Sequence, residues 1–177
     1  YASTALVTTK GFGDLPEIGT QARSDLFDLR IKKPPLLHKT TVTVDERIAI
    51  DGTVLTALDL DRARTQFREL RKIGIESIAI ALMNSWINPD HEVLLAEIAE
   101  GLGFAKVSVS SRLSHSIGLL DRMNTTIADA CLSPVLDDYI KQIQVAAPEA
   151  ELLLMTSAGA LAPPECFSGR DAVLSGP

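Results

Sequence analysis

The chain has 177 residues, 46% of them hydrophobic and 23% charged, so it carries enough apolar material for a globular core and wholesale disorder is excluded. A formal net charge of −6 leaves no Lys/Arg stripe to displace counterions, which sets nucleic acid aside as a partner; Arg68, Arg71 and Lys72 read as a solvated helix face. Two cysteines, Cys131 and Cys166, without CxxC or regular His spacing, set aside a disulfide framework and any metal site and suit the cytoplasm, and no apolar run is long enough to make a membrane a partner.

Ala5 to Thr9 predicts a short strand, followed by Lys10-Gly11-Phe12-Gly13-Asp14. A dinucleotide loop is set aside there, because the third glycine and an immediate helix are missing. Lys10 and Asp14 stand either as site residues at a strand end or as a solvated turn. Residues 23–29 predict a turn of helix, and Lys32-Lys33-Pro34-Pro35 an extended linker beside an exposed His38. Thr41 to Ile50, the Asp51-Gly52 turn and Thr53-Val54-Leu55 predict an antiparallel hairpin at a sheet edge. Glu46 and Arg47 fall mid-strand on opposite faces, so at least one needs solvent or a partner.

From Asp59 the period becomes helical, with Leu60, Ala63, Phe67 and Leu70 on one face, Asp59 as N-cap and Gly74 closing the helix. Ile75 to Met83 reads as a strand covered on both faces. Trp86, just beyond its end, packs there or covers a pocket. Asn88 and Pro89 form an N-cap and first-turn pair for a helix whose His91 reads as surface. Ala105 to Val109 is the next strand. Helix, strand, helix, strand with short connections predicts parallel, right-handed βαβ crossovers.

Gly118 to Ala160 begins in a polar corner, Asp121 to Thr126, and continues as a helical pattern with Ile127, Cys131, Val135, Tyr139 and Ile143 inward. Pro134 leaves two readings: one kinked helix, or a second helix capped by Ser133 with Pro134 in its first turn. Leu152 to Met155 predicts a buried strand ending at Thr156-Ser157-Ala158-Gly159. Ser175-Gly176-Pro177 ends another. Small residues let backbone amides approach an anion, so Ser157, Gly159, Ser175 and Gly176 are candidate phosphate contacts; tight turning explains each equally well. His115, among hydroxyls, is open to a functional or a hydrogen-bonding structural role. No Ser-His-Asp set can be assembled and G-x-S-x-G is absent. Both ends read as cut, so an excerpt of a longer protein is expected.

Several short motifs recur in order: ALVTTKGFGDLPEIGTQAR at 5–23, DLFDL at 25–29, ERIAIDGTVL at 46–55, NPDHE at 88–92, SHSIGLLDRMNTTIADACLSP at 114–134 and a final LSGP. Together they resemble the hydantoinase A/oxoprolinase family, which includes ATP-dependent N-methylhydantoinase, 5-oxoprolinase and related ketone carboxylase subunits. The resemblance implies an α/β fold with a mixed sheet: an intervening domain plus part of an actin-like, ribonuclease H-like ATPase lobe. We divide it at 1–115, a fragment of the family's N-terminal region, and 116–177, the start of the core domain. ATP and Mg²⁺ are the implied cofactors, with a small cyclic amide as substrate and a hydantoinase B-type subunit or domain as partner.

The same resemblance casts Arg122 as an electrostatic clamp, Asn124 and Thr125 as orienting groups, and Ser157, Gly159, Ser175 and Gly176 at the nucleotide. Asp121 departs from the family's glutamate, and Ala158-Gly159-Ala160 from a more glycine-rich turn. The expected activity is ATP-dependent opening of a hydantoin- or oxoproline-like ring. A ketone carboxylase subunit and a noncatalytic subunit-docking domain are the alternatives.

Overall fold

The computed structural model describes residues 1–20 and 33–173. The helical turn expected at 23–29 and the final LSGP therefore lie outside the described residues, apart from Val173 just ahead of it. Strand β1 (Thr4–Thr9) is followed by one helical turn, α1 (Leu15–Ile18), then by β2 (Thr40–Val44) and a hairpin of β3 (Arg47–Ile48) and β4 (Val54–Thr56). Next come α2 (Leu60–Lys72), β5 (Ser77–Ala81), α3 (Asp90–Gly101), β6 (Lys106–Val109), α4 (Ser110–Leu113) and the long α5 (Leu119–Ala146). A second small hairpin, β7 (Leu154–Met155) and β8 (Leu161–Ala162), precedes two 3₁₀ turns, Pro164–Cys166 and Gly169–Ala172.

The central sheet has the order β2-β1-β5-β6, and every pair in it is parallel. Alternation along the strands sorts the two faces. Ala5, Val7, Ile78 and Ile80 join Ala63, Phe67 and Leu70 of α2 and Leu95, Ala96 and Ala99 of α3 in one core. Leu6, Ala79 and Ala81 face the other way, against Leu119, Met123, Ile127, Ala130 and Cys131 of α5. The result is three layers, and two alanines under α5 leave room for its backbone to lie close to β5. Phe67 and Phe104 meet edge to face at 6.2 Å, a pairing that contributes about 1 kcal/mol beyond its buried area. Asp59 caps α2 by accepting from the Arg62 amide at 3.0 Å, and Gly74 closes it at φ 79°.

Three expectations change. The run from 41 to 50 is not one hairpin arm: Thr40–Val44 lies parallel to β1, and only Arg47–Ile48 turns back onto Val54–Thr56. The break falls at Asp45-Glu46, where Glu46 turns into the interior. The apolar run 152–155 is not a buried strand of the main sheet. Only Leu154–Met155 is extended, paired antiparallel with Leu161–Ala162, and Met155 is 60% exposed. The reason is local: Thr156 donates to the Ala160 carbonyl and Gly159 takes φ 80°, which doubles the chain back.

Helix α5 starts at Leu119, so the polar corner lies inside it, and it runs through Pro134 as a single helix. Its inward face is Met123, Ile127, Ala130 and Cys131, whereas Val135 and Tyr139 are exposed. Past Pro134 the buried side chain is Ile140, 6% exposed, so the inward face shifts away from the line of Val135 and Tyr139.

Candidate functional site

The connection from β1 runs through α1 on the face that α5 covers, while the connection from β5 runs through α3 on the opposite face. Strand order therefore reverses between β1 and β5. In an open parallel sheet the crevice beyond the carboxyl ends of such a pair is where ligands bind. Here it is bounded by Thr9 and Lys10 after β1 and by Leu82 to Ser85 after β5.

Two buried polar networks grip this edge. In the first, Met83 N–H donates to Thr9 Oγ1 at 2.9 Å, and Thr9 Oγ1 donates to the Glu46 carboxylate. The other oxygen of Glu46 faces His91 Nδ1 at 2.7 Å. His91, expected on the surface, is 5% exposed, and Glu46 is 2% exposed. The partner that Glu46 needs is thus a histidine from the first turn of α3.

In the second network, Glu92 accepts from Leu82 N at 2.8 Å, Ser110 Oγ at 2.7 Å and Ser111 N at 2.9 Å. Arg122, 0% exposed, donates to the Leu82 carbonyl at 2.7 Å, to the carbonyls of Ser116 and Ile117 at 2.8 and 3.0 Å, and to Ser85 and Ser110 Oγ at 3.3 Å. The Leu82 peptide is therefore held at both ends, by a carboxylate and by a guanidinium. Burial pulls the Arg122 pKa down, and the nearby Glu92 charge pushes back. Asn84, immediately after Met83, takes φ 58° and donates its side-chain amide to the Ile48 carbonyl at 2.8 Å, tying the corner to the β3–β4 hairpin.

Lys10 lies at the exposed rim. It donates to Asp45 at 2.8 Å and so holds that carboxyl below its usual range. Asp14 is exposed ahead of α1 and makes no side-chain cap. Asn124 is exposed on α5 and lines a cavity of about 850 Å³ between α1, residues 33–38 and α5. His38 also lines it. This histidine, expected exposed, is 6% exposed; Nε2 meets Thr41 Oγ1 at 2.9 Å, while Nδ1 is buried without a hydrogen-bond partner. Burial lowers its pKa.

Thr125 Oγ1 donates to the Asp121 carbonyl at 3.0 Å, within the helix. Ser157 donates both its amide and its hydroxyl to the Asp171 carbonyl, each at 2.7 Å. Around that turn the amides of Thr156, Ser157, Gly159 and Ala160 all donate within the protein. Above Gly159, nothing lies within 4 Å of where a Cβ would stand. Ser175 and Gly176 lie outside the described residues. His115 is exposed. Glu46 opens the ERIAIDGTVL motif, and His91 and Glu92 close NPDHE, but nothing in those motifs marks them as a buried network; a further signal is the density of serines at 108–111, matched to carboxylates that need donors. Among the described residues no group of three His, Cys, Asp or Glu side chains could hold a metal ion, and no helix is long and apolar enough to cross a membrane.

The fold and its reversal point define the class first: a three-layer α/β unit of the Rossmann and actin-like ATPase-lobe type, with a parallel central sheet and antiparallel additions. Residues 1–103 match the family model described as the hydantoinase/oxoprolinase N-terminal region, and residues 122–177 match the one described as hydantoinase/oxoprolinase. The chain belongs to the hydantoinase/oxoprolinase family. It is 35% identical over 207 residues to the 5-oxoprolinase PfmaA of Pestalotiopsis fici, covering 100% of this chain and 16% of that protein. It is 32% identical over 151 residues to the acetophenone carboxylase gamma subunit of Aromatoleum aromaticum, covering 76% of this chain and 21% of that one. Among solved structures, the ATP-dependent caprolactamase from Pseudomonas jessenii matches with a TM-score of 0.85 at 25% identity, over 98% of this chain and 27% of that chain. The chain thus spans 16% and 21% of the length of these two curated relatives.

Proposed function

We propose that this chain is part of an ATP-dependent cyclic-amide hydrolase that opens a hydantoin- or oxoproline-like ring. Mg²⁺ accompanies the nucleotide, a hydantoinase B-type subunit or domain completes the enzyme, and the setting is cytoplasmic. The observation that carries this reading is the alignment of the whole chain with a 5-oxoprolinase at 35% identity. We place the boundary between the two parts at residue 116, just ahead of α5.

The residues fit a nucleotide in a limited way. A phosphate can approach the backbone at Gly159, where no side chain intervenes, but the turn is not an open nest of amides. Bound ATP would supply a phosphoryl group to the ring amide oxygen, giving water a carbon with a good leaving group. Asn124, on the cavity wall, is the side chain available to orient the amide. Arg122 has its donors committed to three carbonyls and two serines, so it acts by holding the Leu82–Ser85 corner in place. Thr125 acts through the first turns of α5 in the same indirect way.

The test is turnover by the full-length protein with 5-oxoproline, hydantoin and ATP. Ring opening that requires ATP is the expected result. The second reading, a ketone carboxylase subunit, is favoured by the likeness to the acetophenone carboxylase gamma subunit. ATP-dependent incorporation of bicarbonate into a ketone, with no ring opening, would replace the first reading by the second.

A further inference from the structure

We propose that Arg47, with Lys10, forms a carboxylate-binding subsite at the mouth of the β1–β5 crevice, and that this subsite selects cyclic amides that carry a carboxylate over neutral ones. The inference rests on the reading of the chain as part of a cyclic-amide hydrolase, and it narrows the substrate class of that reading.

Glu46 and Arg47 point to opposite sides, and the buried network decides which goes where. Glu46 is fixed inward between Thr9 and His91, and Ile48, 1% exposed, follows on the same side. Alternation throws Arg47 outward between them. There its guanidinium lies over the Phe12 ring, 5.3 Å from the centroid, and Nη2 donates to the Lys10 carbonyl at 3.2 Å. The Lys10 amide donates to the Val44 carbonyl at 2.9 Å, so the residue just past β1 is held on both sides.

Arg47 is positioned without being used up. It is half-buried, its Nε and Nη1 bond to no described group, and no described carboxylate pairs with it directly. A planar fork already ordered by an aromatic ring and a carbonyl loses little freedom when it grips a carboxylate.

Lys10 supplies a second charge. Its Nζ lies 2.8 Å from Asp45, with the two side chains 64% and 46% exposed. The bond and charge of Lys10, then the charges of Arg62 and Arg47, hold the Asp45 carboxyl below its usual range. One carboxylate thus sits among three cations, in a chain whose net charge is −6. This local excess stands where an open parallel sheet takes its ligand, and it suits an anion. Gly11, between Lys10 and Phe12, has nothing within 4 Å of where a Cβ would stand, which leaves the approach open.

The geometry favours a carboxylate over a phosphate. The donors are one planar guanidinium and one ammonium, and α1 is a single turn of four residues, too short to offer phosphate a helix terminus. A 5-oxoproline-like ring carries such a carboxylate on the carbon next to its amide nitrogen, whereas a simple lactam does not. The loop 10–14 leads from this rim into α1, a wall of the cavity that Asn124 lines. One short segment therefore joins the anchor for the carboxylate to the group that orients the amide.

The experiment measures equilibrium binding of 5-oxoproline, of 2-pyrrolidinone (the same lactam without the carboxylate) and of MgATP to the full-length protein and to Arg47→Gln and Lys10→Gln. The wild-type protein should bind 5-oxoproline more tightly than 2-pyrrolidinone. Arg47→Gln is expected to weaken 5-oxoproline roughly ten- to hundredfold, and Lys10→Gln about two- to fivefold. Neither should change the affinity for 2-pyrrolidinone or MgATP. Binding of neither lactam to the wild-type protein overturns the underlying reading and the subsite with it. Binding of 5-oxoproline with wild-type affinity by Arg47→Gln overturns the subsite alone. Weakening of MgATP with 5-oxoproline unchanged replaces the carboxylate by a phosphate and also overturns it. Equal weakening of all three ligands does the same, because it marks a general loss of structure. Should Arg47→Gln fail to fold, Lys10→Gln, altered at an exposed side chain, decides by the same comparison.

Discussion

Replacing Arg122 by methionine keeps much of the side-chain length and removes the charge and the donors. The guanidinium is 0% exposed, and with it go the bonds to the carbonyls of Leu82 at 2.7 Å, Ser116 at 2.8 Å and Ile117 at 3.0 Å, besides the weaker pair to Ser85 and Ser110. Ser116 and Ile117 are partly exposed and recover water. Leu82 is buried and does not, and the Glu92 carboxylate is left in the interior without its neighbouring cation. Removing one partner of a buried charge pair costs about 3–5 kcal/mol, and the orphaned Leu82 carbonyl falls within that figure. For a domain of this size the melting midpoint falls by roughly 6–20 °C.

The assay is urea unfolding of the 177-residue chain, followed through the emission of Trp86, its one tryptophan, which sits next to the clamped corner. Arg122→Lys keeps the charge but not the planar fork and should recover only part of the loss. Adding Glu92→Gln to Arg122→Met should also recover part, by removing the uncompensated charge. A change below about 1 kcal/mol in Arg122→Met would refute the reasoning, since it would mean that the buried corner is held by something other than this network.

His38 offers a pH test: burial lowers its folded pKa below 6.5, so the unfolded chain binds the extra proton first and the histidine's contribution, present above pH 6.5, is lost as pH falls through the folded value. Unfolding midpoints should therefore drop between pH 7.5 and pH 5.5, and drop less in His38→Gln; an identical pH slope in the two would count against it. Cys131 is buried, faces Thr4 Oγ1 at 3.3 Å and has its pKa raised by burial, whereas Cys166 is exposed. Iodoacetamide should thus label Cys166 in the folded chain and Cys131 only on unfolding, as read by peptide mass mapping. The chain spans 16% of its 5-oxoprolinase relative, so residues 1–177 alone should not hydrolyse ATP; turnover above background would show that a complete site lies within them.

The layered fold was legible wherever one physical signal dominated. Asp59 and Gly74 mark the ends of α2, and the run 75–83 is apolar on both faces because both faces are covered. Where two signals competed, reading failed. TVTV alternates as a hairpin arm does, yet β2 is an edge strand of a parallel sheet, which leaves the same alternation. In α5 Ile127, Cys131, Val135 and Tyr139 follow a strict four-residue spacing, which drifts around a helix of 3.6 residues per turn, so Ile127 and Cys131 are buried, Val135 and Tyr139 are exposed, and the buried side chain past Pro134 is Ile140. Periodicity reports a face, and a face is buried only where something lies against it.

Of the buried networks at the β1–β5 edge, Arg122 stood out in the sequence within the DRMNTT corner, whereas the inward turn of Glu46, His91 and Glu92 did not, and the reason is chemical. Asp90 and Glu92 both suit the first turn of a helix, where a carboxylate favours the exposed amides. Asp90 stays in solvent. Glu92 turns inward to Leu82 N, Ser110 Oγ and Ser111 N. Nothing at position 92 distinguishes these outcomes, because the donors that decide between them arrive from β5 and from the turn after β6. The same holds for Glu46, whose partners Thr9 and His91 come from β1 and α3. A buried carboxylate is specified by its donors rather than by its own neighbours in sequence. The serines at 108, 110 and 111 are the local sign of such a requirement, since three small donors at a strand's end have little to contribute to an apolar core and much to contribute to Asp129 and Glu92.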